Sequence, residues 1–187
     1  MVGNADARGL QPSDVLEFWR QAGPERWFAR DAAFDAVFHQ RFLDLHLAAA
    51  RGEREDWLAS AESALALLLL LDQFPRNCFR GSAHSYATDG LARQYARRAL
   101  AAGLDMQVES SLRLFFYLPF EHSEAMADQE ESMRLFERLG DAELLRYARL
   151  HHELIARFGR FPHRNAALGR ESTQAELDYL AAGGFSG

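Results

Sequence analysis

The chain has a single cysteine, Cys78, in 187 residues. No intrachain disulfide is open to it and no cysteine-based zinc site can form. No segment shows sustained period-two alternation of β-branched residues, so strand signals are nearly absent. The greasiest stretch, Ala64 to Leu71, is far short of the roughly 20 residues that a membrane-spanning helix needs. Met1 to Leu10 carries no apolar core behind a basic start, so no secretory leader is read there. Together with the lone cysteine, this points to the cytoplasm. A formal net charge of −6 argues against wrapping nucleic acid or coating an anionic membrane, though a local basic patch can still hold a small anion. Gly-x-Ser-x-Gly, a Walker loop, a dinucleotide fingerprint, His-Glu-x-x-His and paired Glu-x-x-His are all missing. No metal and no cofactor is therefore expected. Ser82, Ser85 and Ser123 have no motif context for nucleophilic catalysis, and Cys78 follows Pro-Arg-Asn, whose cation would lower its pKa.

Helical signals fill the space that these absences leave. Hydrophobic residues make up 48% of the chain, enough for one folded domain with a core of its own. Phe34, Val37, Phe38, Phe42 and Leu45 share one helix face between Asp31 and Gly52. A central helix runs from Trp57 to Asp72, apolar on most sides, and should end at Phe74 because Pro75 biases its predecessor out of the α region. Asp89 can cap a helix to Gly103, another runs from about Asp105 to Leu118, and the next from about Ser123 to Leu139. Asp141 opens a helix that ends at Gly159, and Thr173 with Glu176 forms a capping box for the last, which stops at Gly183-Gly184. Residues 1–12 and 184–187 read as flexible tails of this single domain.

Two phrases recur: Gln73-Phe74-Pro75-Arg76-Asn77 and Arg160-Phe161-Pro162-His163-Arg164-Asn165. With Pro119 between them, the three prolines stand 44 and 43 residues apart, about the length of a pair of antiparallel helices. The expected fold is all-α: antiparallel helical hairpins stacked in a right-handed array, with chain breaks at the three prolines.

Polar side chains interrupt the apolar stripes. His122 and Gln129 share a stripe with Met126, Met133 and Phe136, and His151 lies among Leu144, Tyr147, Leu154 and Phe158. A buried polar group without a partner costs about 1–3 kcal/mol, so these residues either join a network or line a cavity. Counting about 1.5 Å per residue from the turn at Gly140 sets His122 and His151 about two helical turns apart, with His122 bordering a cleft and His151 buried. Five acids (Glu121, Glu124, Asp128, Glu130, Glu131) precede four arginines (Arg157, Arg160, Arg164, Arg170). Glu124 and Asp128, at i and i+4, call for a cation between them, and Asp72 at a helix C-terminus calls for Arg76 or Arg80.

The longer phrases resemble a bacterial family known as a domain of unknown function. Leu70-Leu71-Asp72-Gln73-Phe74-Pro75-Arg76-Asn77 with Phe79-Arg80-Gly81 is similar to its first hallmark. Phe115-Phe116-Tyr117-Leu118-Pro119-Phe120 with His122-Ser123-Glu124 and Asp128-Gln129 is similar to the second. His151, Ile155 and Arg157 to Asn165, with Leu168-Gly169-Arg170 and Ser172-Thr173, are similar to the third. Phe18-Trp19 and Trp27-Phe28 also fit, so the likeness spans nearly the whole chain. Ala59–Ala64 departs from the usual Pro and Gly-Arg there, which touches only the start of the central helix. The resemblance implies an all-helical, tetratricopeptide-like fold and no established activity.

Three functions remain open on these residues. The first is binding of a small anionic ligand or a carboxylate-bearing peptide by Arg76, Asn77, Arg80, His122, Glu124, Arg160, His163, Arg164 and Asn165. The second is a hydrolase or transferase with His122 as general acid/base, held by Asp128 or Glu124. The third is an interaction scaffold whose polar clusters are internal clamps.

Overall fold

Short polar side chains start several of the helices. In a computed structural model, which describes residues 9–187, Asp31 accepts from the amides of Ala33 and Phe34 and opens α3 (Ala32–Ala50). Asp141 does the same for Glu143 and Leu144 at the head of α9 (Ala142–Phe158). Thr173 and Glu176 close a reciprocal capping box on α10 (Gln174–Ala181). The remaining helices are α1 (Pro12–Ala22), the short α2 (Pro24–Trp27), α4 (Ala61–Leu68), α5 (Phe74–Cys78), α6 (Asp89–Ala101), α7 (Leu114–Glu121) and α8 (Met126–Leu139). No strand occurs among the described residues, so the fold is all-α as expected. None of these helices is long and apolar enough to cross a membrane.

The central helix departs from expectation at both ends. Trp57 lies in a 3₁₀ turn, Glu55–Ala59, and Ser60 caps α4, which begins at Ala61, four residues after Trp57. At the other end Pro75 does not stop the chain. A π segment, Leu69–Gln73, joins α4 to α5, and the helical path runs on to Cys78. The wide turn sends the Phe74 amide to the Leu69 carbonyl, five residues back. Pro75 has no amide to donate, so the carbonyls of Leu70 and Leu71 are left over. His46 Nδ1–H takes the first at 2.8 Å, and the Thr88 hydroxyl takes the second. Side chains distant in sequence thus satisfy what proline and the π turn release.

Other boundaries shift for similar reasons. Asp105 starts no long helix; it is buried in a 3₁₀ turn, where it accepts from Tyr117 Oη at 2.8 Å and from Arg138 at 3.1 Å. Pro119 lies inside α7, which ends at Glu121. Ser123 spends its hydroxyl on Asp128 and α8 begins only at Met126. Pro162 follows a true break and opens the 3₁₀ turn Pro162–Arg164.

The α4–π–α5 axis is the hub: α1 and α3 pack on it, and so do α6 and α7. Beyond it α6, α7, α8 and α9 follow one another side by side. Ala64 through Leu71 are fully buried, with Trp19, Phe38, Phe42, Phe74, Phe115, Phe116 and Phe136 around them. Each such side chain contributes about 2 kcal/mol of burial. A second, smaller core gathers Leu154, Ile155 and Phe161 with Met126, Phe158, Tyr179 and Phe185. Phe185 belongs to the stretch read above as a tail; it is packed into this core. The polar residues of interest lie along the seam between the two cores.

Candidate functional site

Asp72, in the π segment, is 1% exposed and accepts three side-chain donors. His122 Nδ1–H reaches its Oδ1 at 2.7 Å, Arg76 reaches the same oxygen at 3.2 Å, and Gln73 reaches Oδ2 at 2.7 Å. Burial works to raise the Asp72 pKa, but His122 and Arg76 outweigh it and hold the carboxyl below the usual range. Arg76 then forks onto Asp89, at 2.8 and 2.9 Å. Arg164 reaches the same Asp89 carboxylate from the far end of the sequence at 3.4 Å. Both recurring phrases therefore converge on one acid. Asp89 had been read as a helix cap; it is instead the first residue of α6, and Thr88 stands in the cap position.

His122 closes α7 and lies outside α8, so counting helical rise back from Gly140 misplaces it. The non-helical stretch 122–125 returns it to the level of His151, and the two rings lie 6.4 Å apart. The expected two-turn offset does not occur. His151 donates Nδ1–H to the Tyr147 carbonyl at 2.9 Å, which leaves Nε2 as an acceptor. Bonded to the Asp72 carboxylate through Nδ1, His122 also presents Nε2 as an acceptor, on a side chain 13% exposed. His163 is the third imidazole, and its buried Nδ1 has no partner.

The electrostatics follow from burial. Burial and the Arg76 charge lower the His122 pKa, and burial takes His151 to about 3. Burial with the neighbouring Arg164 takes His163 to about 3. Glu121, 4% exposed, is pushed up to about 8 by burial and by Asp72, so near neutral pH its carboxyl keeps its proton. Burial lowers Arg164 to about 10. Its guanidinium is held between the rings of Tyr86 and Phe161, at 4.5 and 4.4 Å, and its buried Nε donates to nothing.

The other candidate residues do not join this cluster as open groups. Asn77 and Arg80 both bond Asp35, at 2.8 and 3.2 Å. Arg160 forks onto Glu176 at 2.6 and 2.8 Å, and its hydrogen bonds hold Glu176 at about 2. Asn165 accepts from Arg170 and donates to Ser172. Glu124 and Asp128 share no cation. Arg170 forks onto Glu124 at 2.7 and 2.9 Å, while Arg93 and Arg97 take Asp128. Asp128 thus faces arginines, and Asp72 is the acid on His122. Cys78 is pushed up to about 12 by burial and by Asp35, which outweigh the lowering effect of the Arg80 charge. All 21 basic residues of the chain are arginine, and lysine does not occur.

Sequence reasoning missed Asp89, Tyr86 and Phe185. Arg164 offered the one available signal, since it repeats the Arg76 phrase but has no acid within a helical turn. A groove of about 380 Å³ lies elsewhere, lined by Trp27, Phe28, Leu114, Leu144, Asp141 and Glu143. No basic side chain lines it, so it is no place for an anion. Among the described residues no group of three His, Cys, Asp or Glu is arranged to hold a metal ion.

The pattern of the family described as "Bacterial protein of unknown function (DUF924)" matches residues 15–184. The chain belongs to this family. A chain of this shape has also been solved: a protein of unknown function, ATU0120 from Agrobacterium tumefaciens, is 54% identical, with a TM-score of 0.89 over 91% of this chain and 97% of that one. No curated protein matches the DUF924 chain described here.

Proposed function

We propose that this DUF924 protein binds a small anionic ligand at the seam between its two cores, beside Arg164 and His163. His122 would serve there as proton acceptor. One observation carries the reading: the buried Nε of Arg164 and the buried Nδ1 of His163 both lack a partner, in neighbouring residues of one cluster. Each such orphan costs about 1–3 kcal/mol, and here two of them stand in adjacent residues. An anion accepting from Arg164 would remove that cost. Asp72 fixes the His122 tautomer and leaves Nε2 free, which is the arrangement a general base needs in a hydrolase or transferase.

A second reading has its own support. Arg76, Arg80, Arg93, Arg97, Arg160 and Arg170 all end on internal carboxylates. That favours a scaffold in which helical hairpins, stacked as in tetratricopeptide proteins, offer a surface to a partner such as a carboxylate-bearing peptide. Thermal shift with phosphate, citrate and acetate separates the two. A ligand at about 100 times its Kd stabilises by about 2.7 kcal/mol, a shift of several degrees. The ligand reading expects such a shift in the parent and none in Arg164→Met. An equal response in both chains would leave the scaffold ahead.

A further inference from the structure

The last residues of the chain turn back over the histidines. α10 ends at Ala181, and Gly183 takes φ +80°. At Gly184 a Cβ would lie 2.4 Å from two atoms of the Tyr179 ring and 2.6 Å from the Tyr179 carbonyl oxygen. Both positions therefore require glycine, the first for its left-handed backbone and the second for its close approach. The reversed chain is then fastened at four points. The Gly184 amide donates to the Tyr179 carbonyl, and the Phe185 amide donates to Tyr179 Oη at 2.8 Å. The Phe185 ring lies 4.7 Å from the His151 ring and 5.3 Å from the His163 ring. Arg30, from the corner between α2 and α3, donates to the Gly187 carbonyl at 3.3 Å.

What this segment lays over the imidazoles is an apolar ring. It gives no hydrogen bond to His163, whose Nδ1 stays unpartnered beneath it. A segment that completed the polar network would have supplied a donor or acceptor there. This one excludes water from the network and leaves it unsatisfied. It also belongs to the smaller core, with no place in the larger one that holds the fold together.

We propose that residues 184–187 are a strap that closes the histidine cluster, and that ligands reach the cluster when the strap lifts. As the gate of a ligand site it rests on the function proposed above, but the covering itself is tested without a ligand. The strap can lift without unfolding the protein, because its fastenings are one ring and three hydrogen bonds, from the Gly184 and Phe185 amides to Tyr179 and from Arg30 to Gly187. The Phe185 ring lies against His151 and His163, and Phe161 lies against both of those imidazoles, so lifting the ring vacates a place among these three side chains. A flat group of about the size of the Phe185 ring fits that description.

Diethyl pyrocarbonate, which acylates neutral imidazole, reads the covering directly on the full chain at pH 7, with sites and rates taken by mass spectrometry. Phe185→Ala removes the ring, and Gly184→Ala breaks the turn without touching the cluster. In both variants His151 and His163 should react about tenfold faster than in the parent, as for groups freed from local protection. His46 is fully buried in the larger core and serves as the internal control; its rate should not move. Unchanged rates at His151 and His163 overturn the proposal, and so does an acceleration that His46 shares, since that reports general loosening. Faster acylation with no thermal shift from phosphate, citrate or acetate, in parent and Phe185→Ala alike, leaves the strap standing and removes the ligand reading.

Discussion

His122 donates its Nδ1 proton to Asp72 at 2.7 Å, across 50 residues of sequence. The bond joins the C-terminus of α7 to the π segment of the central helix, so it ties the hub to the helices stacked beyond it. Asp72 keeps Arg76 and Gln73 when the imidazole is lost. His122→Ala should therefore cost only about 1–2 kcal/mol in urea unfolding, while abolishing any anion-induced thermal shift. His151→Ala opens a hole against Phe161 and Phe185 and should cost about 2–4 kcal/mol. The reverse ranking would make His122 an architectural residue.

Opposed titrations give the fold a pH optimum. His151 and His163 sit at about 3 in the folded chain, against ~6.5 unfolded. Between those values the unfolded chain binds protons that the fold refuses, so their contribution to stability rises with pH through that window. Glu121 works in the other direction. Its folded value of about 8 lies above ~4.3 unfolded, so the fold holds a proton that the unfolded chain has lost, and stability falls as pH rises across that window. From these three groups Tm should climb to about pH 6.5 and then decline towards about pH 8. Glu121→Gln should flatten the declining limb, which is worth roughly 2 kcal/mol at about 1.4 kcal/mol per pH unit. A parent protein with level stability on that limb would show that Glu121 is ionised in the fold.

Arg76 and Arg164 share Asp89 unequally. Arg76 forks onto it and also holds Asp72, whereas Arg164 reaches it only at 3.4 Å. Arg76→Ala takes the nearest cation from two buried carboxylates, leaving Asp72 to His122 and Gln73 and Asp89 to the 3.4 Å contact with Arg164, and should cost about 3–5 kcal/mol, with Arg76→Lys recovering little because it lacks the fork. Arg164→Ala should cost less, about 1–2 kcal/mol. Pro75→Ala should change stability by under about 1 kcal/mol, since the π turn already accommodates the missing amide. Chemical denaturation of the four variants ranks them, and a Pro75→Ala loss matching Arg76→Ala would contradict the account of the turn.

Thr88→Val keeps the shape and removes the hydroxyl, leaving the buried Leu71 carbonyl with no side-chain donor. The expected loss is about 1–3 kcal/mol. Hydrogen exchange should localise it to the π segment and the head of α6. No measurable loss would mean that water replaces the hydroxyl.

The features legible in the sequence are those that local chemistry decides. Asp31, Asp141 and Thr173 cap helices because a short oxygen beside free amides has little else to do. Asp89 offers the same carboxylate to two uses, and the fork of Arg76, joined by Arg164, settles which one it serves. The end of the central helix was misread because His46 and Thr88, from other elements, make a proline tolerable inside it. The candidate site was legible as a set of residue types and illegible as a set of pairings. Most of its arginines face acids that stand tens of residues away in the sequence.

The π segment also fixes a phase. Each residue of an α-helix turns the next by about 100°, and the wide turn absorbs one extra residue within about the same rotation. Leu65 to Leu71 and Arg76-Asn77 therefore do not lie on one continuous helical lattice. Removing a single residue between Leu69 and Gln73 would let the backbone relax to a regular α-helix and leave Arg76 and Asn77 close to their present bearing, towards Asp89 and Asp35. What the extra residue decides is the bearing of the side chains inside the turn, Asp72 and Gln73 among them, rather than the course of the helix beyond it.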